Sequence, residues 1–148
     1  AYEILSGDWS SDVCSSDLDE ILAANRRFYE AFARADLGAM DEVWARLAPV
    51  SCVHPGWAAL VEREEIMLSW RAILAGEAPA ELALGDAEAH GGGDVGYVVC
   101  TETIGEAQLV ATNVFVREDE AWKLVHHQAG PVVRQVRKEP VGKPVMSN

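Results

Sequence analysis

The sequence predicts an α+β fold, with helices laid over one face of a sheet. Two observations carry that prediction. Apolar residues recur at helical spacing up to about residue 75 and at strand spacing from about residue 81, so helices and strands are segregated along the chain. The last strand segments are joined by turns too short for a parallel crossover, which makes them an antiparallel meander. The 148 residues hold one domain, and 49% apolar with 24% charged residues is the balance of a globular chain. No stretch approaches the roughly 18 apolar residues of a membrane span. A net charge of −12 repels phosphate backbones and anionic lipid, so neither nucleic acid nor a membrane surface is an expected partner.

Residues 1–18 read unlike the rest. Ser10-Ser11-Asp12-Val13-Cys14 is nearly repeated by Ser15-Ser16-Asp17-Leu18, and the string GDWSSDVCSSDL looks like translated sequencing-adapter read-through. It lacks the basic start and apolar core of a secretory signal and is set aside as a non-native or disordered segment. It carries four acids and no base, so the remaining 130 residues hold 20 acids and 12 bases and a charge of −8. Cys52 and Cys100 remain, outside any CxxC pair. They read as reduced, buried thiols of a cytoplasmic protein.

The first helix is expected over Asp19–Ala35, with Ile21, Leu22, Phe28, Tyr29 and Phe32 on its buried side and Ser16 or Asp17 as cap. Asp36 caps a second helix, Leu37–Leu47, in which Leu37, Met40, Trp44 and Leu47 share a face ahead of Pro49. Val50–His54 is a short strand closed by the turn His54-Pro55-Gly56. A third helix covers Arg63–Ala75, stopped by Gly76. Strands follow at Glu81–His90, Tyr97–Ile104, Gln108–Arg117 and Trp122–Val133, separated by Gly91–Asp94, Gly105-Glu106 and Glu118–Glu120. The residues from Arg134 form a loose tail.

Four motifs occur in order: His54-Pro55-Gly56-Trp57, Ser69-Trp70, Ala111-Thr112-Asn113-Val114-Phe115, and Trp122-Lys123-Leu124-Val125-His126-His127. In these the chain resembles the SnoaL-like branch of the nuclear transport factor 2-like (ketosteroid isomerase-like) superfamily, over residues 19–133. The resemblance implies a cone: a curved antiparallel sheet wrapped around three helices, with a pocket between them. It also implies a function among isomerases, polyketide cyclases, dehydratases, ligand binders and association modules, since fold does not fix function. A homodimer through the outer sheet face is implied as well, for which Val99, Val110, Val125 and His127 are the candidates. The sequence departs from the branch at Gln128 and Gly130, where a histidine and a serine are usual, and at Glu62, where glycine is usual.

Enolisation needs a carboxylate base beside an apolar pocket and a donor for the developing oxyanion. Glu102 is the one acid inside a strong strand and shares a face with Val98, Cys100 and Ile104. It is a candidate base or a rim glutamate. His54, beside the turn, is a candidate base or a pin for that turn. Strand alternation from the core pair Trp122 and Leu124 turns His126 and Gln128 into the cone and His127 outward. A three-residue turn at Glu118–Glu120 pairs Thr112 with His126, whereas a four-residue turn pairs Asn113 with it. The second is preferred because it leaves Phe115 beside Leu124, with Asn113 inward. Trp44 and Trp122 read as core. Trp57 and Trp70 read as pocket walls for a flat ligand.

No metal is expected, because His126 and His127 point to opposite faces and no HxH or HExxH is present. No cofactor is expected, because there is no P-loop, GxGxxG or GxSxG. The expected function is binding of a small, partly apolar organic ligand by Trp57, Trp70, Asn113, His126 and Gln128. The alternatives are proton transfer on a carbonyl compound, with His54 or Glu102 as base, and an association module with a vestigial pocket.

Overall fold

The computed structural model describes residues 15–76 and 81–134. Most of the set-aside N-terminal segment and nearly all of the expected tail lie outside the described residues. The order is α1 (Ser15–Ala33), α2 (Leu37–Val43), β1 (Ser51–Val53), α3 (Arg63–Ala75), β2 (Leu82–Gly92), β3 (Val95–Ile104), β4 (Ala107–Glu118) and β5 (Ala121–Pro131). The five strands lie in the order β1-β5-β4-β3-β2. The helices pack on one face of this sheet, over a core built on Phe28, Trp44, Ile66, Trp70, Phe115 and Leu124.

The sheet is mixed rather than wholly antiparallel. β2 to β5 form the expected meander, but β1 adds to the edge of β5 in parallel, with Cys52 opposite His127. α3 and the meander separate these two strands in sequence, and that is ample chain for a parallel crossover.

Two boundaries move for local reasons. α1 begins at Ser15, four residues before Asp19, and Asp17 of its first turn pairs with Arg117 at 2.6 Å. α2 stops at Val43 instead of Leu47. Trp44 turns extended, the Ala45 N–H donates to the Leu124 carbonyl, and the Glu118 carboxylate accepts the N–H groups of Arg46, Leu47 and Ala48. Tertiary partners thus replace the last helical turn, and Leu47 faces solvent. α3 has the expected bounds, ending at Gly76, whose N–H bonds the Ile73 carbonyl.

The β4–β5 hairpin turns through Asp119 and Glu120, both at positive φ, the conformation of a tight two-residue hairpin. Phe115 pairs with Leu124, but Val114 pairs with His126, which leaves Val125 as an extra residue in a β-bulge. A second irregularity lies between Gly85 and Glu88 on β2. α1 approaches the sheet closely where β2 meets β3. A Cβ on Gly96 would collide with the end of the Ile21 side chain, so glycine lets the helix lie this close with Ile21 in place.

Candidate functional site

Polar side chains gather in the core where α1 crosses β3, β4 and β5. Asn25 and Tyr29 lie one turn apart on α1, on the same side as Ile21 and Phe28, and both are buried. Glu102 and Cys100 on β3, Asn113 on β4 and His127 on β5 face them, all buried. The Tyr29 hydroxyl donates to Glu102 Oε1 at 2.7 Å and accepts from Asn113 Nδ2 at 3.1 Å. Asn113 Nδ2 also donates to Asn25 Oδ1 at 2.8 Å. Both amide protons of Asn113 are therefore committed, and its Oδ1 accepts from His127 Nδ1 at 2.6 Å. That contact places the His127 proton on Nδ1 and leaves Nε2 as an acceptor.

Burial sets the charge state of each group. It lifts the Glu102 carboxyl above the usual carboxylate range, although the Tyr29 hydrogen bond pulls it partly back. It raises the Tyr29 phenol far above its ordinary value, and the nearby Glu102 and Cys100 charges add to the effect. His127 is pushed down to about 3 by burial, with smaller contributions from His54 and His126, so its imidazole is neutral. The cluster therefore offers a protonated phenol beside a carboxyl that burial makes a stronger base than an exposed one.

His54 lies beside this cluster, its ring 6.5 Å from that of His127. The Ser69 hydroxyl donates to the Ile66 carbonyl at 2.7 Å, so Ser69 Oγ accepts from His54 Nε2 at 2.8 Å. His54 thus pins the end of β1 to α3. Burial lowers its pKa and so favours its neutral form. Burial pushes the neighbouring Cys52 thiol up to about 12, which leaves it unreactive.

The structure thus brings Glu102 and Asn113 together and places His54 next to them. It separates the other expected site residues. His126 and Gln128 turn outward: His126 Nδ1 meets Ser51 Oγ at 2.7 Å on the outer face, and Gln128 is exposed. His127, expected outside, is 2% exposed and inside. The cause is the bulge at Val125. One extra residue reverses side-chain alternation, so Trp122 and Leu124 face inward before it and His127 and Ala129 after it. The preferred hairpin register holds from Glu118–Ala121 to Phe115–Leu124, and past the bulge it shifts by one residue, so Asn113 pairs with His127 instead of His126. Trp70 is a core residue, meeting Phe28, Phe32 and His54 edge-on. Trp57 is 48% exposed and covers the His54 ring from outside. Trp44 and Trp122 are buried, as expected of core.

Sequence reading missed Asn25, Tyr29 and His127 as site residues. Asn25 had a visible signal, a polar side chain in the middle of an apolar helix face. A cleft of about 350 Å³ reaches this cluster, lined by Arg26, Tyr29, Glu30, Ala33, Leu82 and Leu84. Of the cluster, Tyr29 lines the cleft directly, and Leu84 of its wall is the cross-strand partner of Glu102. Among the described residues no three His, Cys, Asp or Glu side chains converge as a metal site would require.

A curved sheet enclosing helices, with a polar cluster at its concave centre, defines an α+β cone of the nuclear transport factor 2-like kind. The chain belongs to the SnoaL-like domain family, whose profile matches residues 21–134. It is similar to a candidate dehydratase of the NTF2-like family from Streptomyces avermitilis, with 32% identity and a TM-score of 0.75 over 82% of this chain and 100% of that one. It is similar to a candidate calcium/calmodulin-dependent protein kinase type II association domain from Thiobacillus denitrificans, with 32% identity and a TM-score of 0.62 over 75% and 94%. A candidate ketosteroid isomerase from Parabacteroides distasonis shares the fold at 14% identity, with a TM-score of 0.65 over 82% and 96%. No curated protein matches the chain.

Proposed function

We propose that this domain binds a small, partly apolar organic ligand in the cleft between α1 and β2, with its polar end on Tyr29 and Glu102. A cleft lined by Tyr29, whose hydroxyl is bonded to the buried Glu102 carboxylate, carries this reading. Leu82, Leu84 and Ala33 supply apolar walls, and a phenol next to a carboxyl suits a ligand oxygen such as a carbonyl or phenol. The test is titration with 2-naphthol, followed by NMR of the protein. Shifts that concentrate on α1 and β2 and weaken at least tenfold in Tyr29→Phe support the reading. Shifts elsewhere, or equal affinity in that variant, overturn it.

Proton transfer on a carbonyl compound is the second reading, favoured by the burial of Glu102 and its raised pKa. Glu102 would take a proton from the carbon next to the carbonyl, and the Tyr29 hydroxyl, no longer needed by the neutralised carboxyl, would turn to donate to the enolate oxygen. Exchange of the α-protons of cyclohexanone in D2O checks it. Catalysed exchange that disappears in Glu102→Gln supports an enzyme, and no exchange above the buffer rate leaves binding alone.

The domain works as a homodimer in a cytoplasmic setting on this reading. Val95, Tyr97, Val99 and Val110 are each 37–46% exposed on neighbouring strands of the outer sheet face. His127 is not part of that face, and Val125 packs partly against the core. Sedimentation of Val99→Lys with Val110→Lys should give a monomer where the parent gives a dimer. A monomeric parent would refute this assembly.

A further inference from the structure

A second, larger cleft lies where α1 and α2 meet the start of β5. It encloses about 600 Å³, within the usual size of small-ligand sites. Ala24, Arg27 and Ala31 of α1 and Arg34 just past its end stand at i, i+3, i+7 and i+10 and so form a single line that faces the cleft. The alanines keep that wall low, Ala39 and Val43 of α2 continue it, and Trp122 lies at the base. This gives an apolar bed flanked by two guanidinium groups about 10 Å apart along the helix axis.

Two of the three cations here are uncommitted, and the third, Lys123, donates to the Glu42 carbonyl at 2.6 Å. Among the described residues, Arg46, Arg63 and Arg117 all hold ion pairs, whereas Arg27 and Arg34 hold none. Three acids also line the cleft, but two of them are engaged. Asp36 caps α2 through the Ala39 N–H, and Glu42 pairs with Arg46. The third, Glu30, lies between the two arginines on α1 and weighs against a ligand carrying more than one negative charge. In a chain of net charge −12, two unpaired arginines beside an apolar bed are a binding feature without an internal partner.

We propose that this cleft is a second ligand site, separate from the Tyr29 cleft, for an organic monocarboxylate with a flat or aliphatic apolar body. The carboxylate accepts a bidentate hydrogen bond from Arg27 or Arg34, and the body covers Ala31, Ala39 and Trp122. The probe is 1-naphthoate, titrated by calorimetry and NMR, with 1-naphthalenemethanol as its neutral counterpart and inorganic phosphate as the bare anion. Saturable naphthoate binding that falls about tenfold or more in Arg27→Gln with Arg34→Gln, and is unchanged in Glu102→Gln, supports the site. A bulkier Ala39→Phe should also abolish it. Equal binding of the alcohol, equal binding of phosphate, no saturation, or insensitivity to the arginine variants overturns it. Loss in Glu102→Gln alone assigns the ligand to the Tyr29 cleft instead and also overturns it. The failure of the Tyr29 cleft reading does not touch this site, because the two share neither Tyr29 nor Glu102.

Discussion

Replacing His127 by glutamine should flatten the acid side of this domain's stability profile. The imidazole is held neutral, its pKa moved from 6.5 to about 3, first by burial and then by His54 and His126. The unfolded chain takes up a proton below pH 6.5 that the folded one refuses down to about 3. Stability from this group is therefore complete above pH 6.5 and is lost as pH falls through that window. Each pH unit removes about 1.4 kcal/mol, which is about 2 kcal/mol by pH 5 and a ceiling of about 5 kcal/mol at pH 3. His54, whose pKa burial also lowers, adds to the slope, whereas Glu102, raised by burial, opposes it. Both remain in His127→Gln, so the difference between the two profiles isolates His127. Urea unfolding followed by tryptophan fluorescence at pH 7, 6 and 5 gives the profiles. The parent should lose about 2 kcal/mol more than the variant between pH 7 and 5, even though the variant starts lower. Parallel profiles would refute the placement of His127 in the core.

Two other perturbations test the fold that frames the site. Glu118→Ala removes the acceptor for three backbone N–H groups at 2.7–3.1 Å and should cost about 2 kcal/mol in the same assay. A loss under about 0.5 kcal/mol would mean that water replaces the carboxylate. Gly96→Ala should cost about 2 kcal/mol through its collision with Ile21. Adding Ile21→Ala should recover more than about 1 kcal/mol relative to the sum of the single changes, and strict additivity would count against that contact.

The sequence by itself determined the architecture, because periodicity reports which side of an element is apolar and both periods are clear here. The bounds of α3, the meander, Asp36 as a cap and the burial of Trp44 and Trp122 all follow from local pattern. Burial of Glu102 and Asn113 was legible as one of two readings, since each sits among apolar neighbours of the same strand parity. What only the tertiary structure decided was facing and partnership. Strand parity counts residues, and one bulge at Val125 reverses the count, so His127 enters the core and His126 and Gln128 leave it. Such a bulge carries no local signature in Leu124-Val125-His126. The end of α2 was decided in the same way, by Leu124 and Glu118, more than seventy residues away. The Tyr29–Glu102 bond joins residues 73 apart. Its existence depends on where α1 crosses the sheet, and the room Gly96 leaves for Ile21 is one part of that fit. Local physics chose the elements. Long-range packing chose which polar groups share the interior, and with them the chemistry available to a ligand.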